Sequence, residues 1–140
     1  MRALTHLIAT LLLMAALSAN AQPPTDEEKE DLARTTVEAF FDAMAAGDVD
    51  GVSRLLTGRY AKRKTGVLET DGYASRMAAS MEGLELVIFN VNLERWDSAR
   101  VFGALMNSQG VQREVQLVLR LEDLGHEWAY LITGEVTTPR

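Results

Sequence analysis

Residues 37–56 read Val-Glu-Ala-Phe-Phe-Asp-Ala-Met-Ala-Ala-Gly-Asp-Val-Asp-Gly-Val-Ser-Arg-Leu-Leu, and they hold two helices and the joint between them. Ala33, Val37, Phe40, Phe41 and Met44 recur at the three- and four-residue steps that line one face of a helix. Gly47 falls where a left-handed residue ends such a helix, and Asp48 or Asp50 can cap the next one. That second helix is short, with Val49, Val52, Leu55 and Leu56 on its apolar side and Thr57-Gly58 as its stop.

Working outward, Thr25 followed three residues later by Glu28 forms a capping box, and Asp26, Glu27 and Glu28 suit the positive end of a helix dipole. Gln22-Pro23-Pro24 disfavours helix just before it, so residues 22–32 read as a linker and helix start, and the first helix is expected over Asp26 to Ala46. Residues 58–66 read as polar loop or frayed helix. Tyr73, Met77 and Met81, spaced four apart, predict a third helix capped by Thr70 or Asp71 and ending at Gly83.

Beyond Gly83 the chain turns to Val, Leu, Ile, Phe and Trp, broken at 97–98, 108–110 and 123–125, so four strands are expected over 84–96, 99–107, 111–122 and 126–136. The fold class is therefore α+β, with N-terminal helices packed on a curved antiparallel meander that makes a cone. Strict alternation puts Val87, Phe89, Val91, Leu93, Val101, Leu105, Val115, Leu117, Leu119, Leu121, Trp128, Tyr130 and Ile132 against the helices. Asn90, Asn92, Glu94, Arg100, Phe102, Glu114, Gln116 and Arg120 then form the opposite, wet face. A slip of one residue would invert the two.

The first 21 residues have the parts of a secretory signal: Arg2, the apolar run 7–17, and small residues at Ala19 and Ala21 before a cleavage expected at Gln22. The run falls short of the roughly 20 apolar residues that cross a bilayer, so no stable membrane anchor is expected, and the protein is read as periplasmic or secreted. The formal net charge of −6 becomes about −7 once Arg2 leaves, which argues against nucleic acid as a partner. The chain has no cysteine, excluding disulfides, thiol catalysis and cysteine-type zinc sites.

The helix, the Ala46-Gly47-Asp48 turn, the second helix and the strands that follow resemble the nuclear transport factor 2-like superfamily, which includes ketosteroid isomerases and small polyketide cyclases. The resemblance spans residues 33–137 and implies one cone-shaped domain. It does not carry isomerase chemistry: aligned on that turn, the oxyanion-donating tyrosine becomes Phe40, the general base falls near Lys64 and the strand-borne acid near Leu117. No catalytic residue, cofactor or metal is assigned.

What remains is binding. Phe40, Phe41, Met44, Tyr60, Met77, Phe89, Leu117, Trp128 and Tyr130 are the expected lining of a pocket for a small apolar ligand. Tyr60 and Tyr130 could offer hydroxyl donors or simply pack. Arg59, Lys62, Arg63 and Lys64 form the one basic cluster, either a solvated loop or a site for an anion. The sheet face could instead meet a protein partner or a second copy in a homodimer. The alternative is a small isomerase-, cyclase- or dehydratase-like enzyme, which requires an ionisable group inside the cone, and alternation places almost none there. Asp42 is the best internal candidate, though a solvent-facing flank fits its helical position better. His126 sits in a hairpin turn and reads as solvated.

Overall fold

The computed structural model describes residues 22–136. The expected signal segment Met1–Ala21, with its expected cleavage site, lies outside the described residues. Four helices, α1 (Asp26–Ala45), α2 (Val49–Arg54), α3 (Gly58–Leu68) and α4 (Tyr73–Ser80), precede four strands, β1 (Glu85–Arg95), β2 (Ser98–Asn107), β3 (Gly110–Asp123) and β4 (Trp128–Glu135). The strands pair in sequence order as one antiparallel meander, and the helices cover one of its faces.

The caps set the helix positions. Thr25 N–H donates to Glu28 Oε2 at 3.0 Å and Glu28 N–H to Thr25 Oγ1 at 3.3 Å, completing the capping box. Gly47 takes φ +67°, and a Cβ there would stand 3.1 Å from the Ala74 carbonyl oxygen, so both conformation and space favour glycine where α1 passes α4. Asp48, rather than Asp50, caps α2 by accepting from Gly51 N–H at 2.9 Å. The stretch expected as polar loop or frayed helix is α3, a continuous helix of 11 residues. α4 starts from Gly72 at φ +74°, with no side-chain cap from Thr70 or Asp71.

α1 lays Ala33, Val37, Phe40 and Phe41 against the sheet, and Thr36 Oγ1 donates to the Tyr130 carbonyl at 2.8 Å, tying the helix to β4. The sheet answers with Val101, Leu105, Leu117, Leu119, Tyr130 and Ile132, all essentially sealed from solvent. The link between α2 and α3 runs beside β4: Ile132 N–H donates to the Leu55 carbonyl at 2.8 Å and Thr57 N–H to the Ile132 carbonyl at 3.0 Å. This pairing covers part of β4's outer edge and fixes where α3 begins.

Alternation fails in β1, and the cause is local. Ile88 pairs with Gly103 but Asn90 with Phe102, so Phe89 is an extra residue in a bulge. The phase therefore shifts: Leu86 and Ile88 face the core before the bulge, Val91 and Leu93 after it. Val87 and Phe89, expected inside, are exposed, Phe89 by 60%. Gly103 is the residue that lets the bulged strand come close, since a Cβ there would meet the Val87 carbonyl oxygen at 2.5 Å. Gly103→Val is expected to cost about 1–3 kcal/mol, because a rigid backbone atom must move, and the urea unfolding midpoint reads it.

Candidate functional site

A cavity open to solvent at one end lies between the helices and one end of the sheet. Its volume is about 110 Å³. α1 supplies Phe40, Phe41 and Met44, whose two rings meet edge to face at 5.1 Å. Val52 and Leu56 close it from α2 and the segment after it. α3 presents Tyr60, Lys64 and Leu68 at four-residue steps, and α4 presents Tyr73 and Met77 in the same way. β3 and β4 add Arg113 and Glu135, which form an ion pair at 2.5 Å.

The cavity is graded in polarity. Phe40, Phe41, Val52, Leu56, Leu68 and Met77 are buried, whereas Lys64 is half-buried and the Arg113 side chain is 52% exposed, so the charges mark its solvent end. Lys64 Nζ stands 5.6 Å from the Tyr60 ring centroid, within cation–π range. Burial, then the Glu135 charge and then Tyr73, push the Tyr60 hydroxyl up to about 12, against the smaller opposing pull of Arg113 and Arg63. Tyr60 therefore keeps its proton at neutral pH, and its hydroxyl can donate a hydrogen bond.

The structure divides the expected pocket. Phe40, Phe41, Met44, Tyr60 and Met77 line the cavity together. Leu117 and Tyr130 are sealed in the core, away from its lining. Trp128 stacks edge to face with Trp96 at 6.1 Å, and Lys29 Nζ lies 5.8 Å from the Trp96 ring. Phe89 belongs to the outer face of the sheet, where with Phe102 and Val136 it lines a groove of about 200 Å³. Its assignment to the cone interior is corrected by the bulge. Of the basic cluster, Arg59, Lys62 and Arg63 are exposed and only Lys64 lines the cavity.

Ionisable groups are not nearly absent from the cone, as alternation implied: Lys64, Arg113 and Glu135 all line its cavity. Asp42 is exposed and borders a separate, more open groove of about 560 Å³ with Arg34 and Glu38. His126 is exposed in its turn, 3.2 Å from Glu127. Among the described residues, no group of three or more metal-ligating side chains converges, and no helix is long and apolar enough to cross a membrane.

Val52, Leu56, Leu68, Arg113 and Glu135 line the cavity but escaped the reading of the sequence as site residues. The Tyr60, Lys64, Leu68 spacing was there to be found, but Gly58 and Gly66 made the segment look like loop. Nothing in the sequence reveals that Arg113 and Glu135 meet, since that depends on the register of β3 and β4.

The fold is α+β, helices over one open antiparallel sheet, in the element order that the nuclear transport factor 2-like resemblance implies. A crystal structure from Campylobacter jejuni designated an NTF2-like transpeptidase is similar at 16% identity and a TM-score of 0.49, over 79% of this chain and 99% of that one. No protein-family model and no curated protein matches the chain.

Proposed function

We propose that this protein is an exported, non-catalytic binding domain that holds a small apolar ligand in the cavity between α1, α2, α3 and α4. The observation that carries the reading is the cavity itself, about 110 Å³ walled by Phe40, Phe41, Met44, Val52, Leu56, Leu68 and Met77. A sealed, wholly apolar cavity of about 150 Å³ takes up benzene, and the inner part of this one offers apolar walls of the same kind. A ligand's apolar part here is therefore about six heavy atoms or fewer. Export rests on the leader, with Arg2, the apolar run and Ala19 and Ala21 supporting it.

Benzene titrated into the isotopically labelled protein is expected to shift the amide resonances of residues around Met44, Val52 and Met77. Val52→Phe, which puts a ring into the same space, is expected to abolish those shifts while the protein stays folded. Shifts that are absent from the wild type, or that persist in the variant, reject the cavity as the site.

A small enzyme is the second reading, and Glu135 with Tyr60 at the cavity mouth is the observation in its favour. Against it, the Glu135 carboxylate is engaged by Arg113 and Tyr60 holds its proton too firmly to serve as a base. A homodimer across the outer sheet face is supported by exposed Val87, Phe89 and Val111.

A further inference from the structure

Resting on that reading of the cavity, we infer that the ligand is a short monocarboxylate, its branched or aromatic body inside the cavity and its carboxylate held at the mouth by Lys64 and Arg113. Three observations converge on this chemistry.

The first is how α3 disposes its charges. Four cations fall at Arg59, Lys62, Arg63 and Lys64, yet the helix turns only Lys64 to the cavity, because only it shares a face with Tyr60 and Leu68. In a chain of net charge −6, this is a local reversal of sign. The second is Arg113, which arrives from β3 and is already paired with Glu135. That pairing cancels one positive charge and leaves the other, so the mouth carries one net positive charge from Lys64, Arg113 and Glu135.

The third is the balance of donors and acceptors. An ammonium offers three donors, a guanidinium five, and the Tyr60 hydroxyl one, while Glu135 is the sole carboxylate in the lining and is already in use. A donor-rich, positively charged mouth is satisfied by an anion with acceptor oxygens. Inorganic phosphate would meet the mouth but leave the apolar wall behind it unused. A neutral hydrocarbon would fill the wall and leave the donors to water. A carboxylate on a small apolar body uses both.

Isovalerate and isovaleramide have nearly the same shape and differ in charge at the head, so they separate the inference from the reading beneath it. Titrated into the purified protein and followed by amide chemical shifts, isovalerate is expected to bind about tenfold more tightly than the amide. Lys64→Met is expected to bring the acid down to the amide's affinity. Lys62→Met, at an exposed position off the cavity, is expected to leave the preference intact. Equal binding of acid and amide, a preference that survives Lys64→Met, or benzene binding with no binding of either probe would overturn the carboxylate inference and leave the cavity standing. Failure of benzene as well would overturn both.

Discussion

Between about pH 10 and pH 12 the fold is expected to lose stability steeply, because two buried tyrosines hold their protons in the folded state. Tyr60 and Tyr130 are 6% and 0% exposed, and each hydroxyl is pushed up to about 12. For Tyr130 the causes are burial first, then the negative charges of Asp97 and Asp26, and its buried hydroxyl finds no hydrogen-bond partner among the described residues. In the unfolded chain a tyrosine ionises near 10. Above that pH the unfolded state has released a proton that the folded state retains, so deprotonation draws the equilibrium toward unfolding. The stabilisation is complete below about pH 10 and disappears as pH rises through 12.

Each tyrosine contributes about 1.4 kcal/mol per pH unit over that window, so the pair removes on the order of 5 kcal/mol, comparable with the whole stability of a small domain. Urea midpoints measured from pH 8 upward are expected to stay level and then drop. Phenylalanine at either position should flatten the drop. A fold that remains intact while both tyrosines titrate near their ordinary value would contradict the account of their burial.

Leu117→Ala is expected to cost about 2–5 kcal/mol. Leu117 is fully sealed, lies opposite Val101 on β2 and Glu135 on β4, and belongs to the cluster that meets α1. Truncation would leave a void at a place where two strands and a helix limit relaxation, lowering the melting temperature by roughly 10 °C or more. Phe89→Ala is the informative control, since a larger ring is removed from an exposed bulge and the expected change stays within about 0.5 kcal/mol. Alternation without the bulge would put both residues in the core. Equal losses from the two substitutions, read by calorimetry, would restore the uninterrupted register.

That pair of residues shows where the sequence was legible and where it was not. α1 and its capping box, the Gly47-Asp48 joint, α2 and four strands within two residues of their bounds all follow from local rules of spacing, capping and turn chemistry. The bulge at Phe89 does not, because a one-residue insertion in the pairing is set by the opposing strand, where Gly103 yields the space. α3 was hidden for a different reason. Its cations and two glycines look like loop in isolation, and its helix is held by packing of Tyr60 and Leu68 on neighbouring elements. The site suffered accordingly: the contributions of α1 and Met77 were readable, whereas the joining of Lys64 to Arg113 and Glu135 depends on tertiary placement.

The proposed function depends on a small cavity whose inner wall, formed by Phe40, Phe41, Val52, Leu56 and Met77, is apolar. The most direct measurement is a crystal structure of the protein under xenon pressure, since xenon enters apolar cavities without needing a polar partner. The account predicts a xenon atom among Met44, Val52, Leu56 and Met77. Electron density showing ordered waters hydrogen-bonded in that space, or side chains closed over it with no xenon, would contradict it.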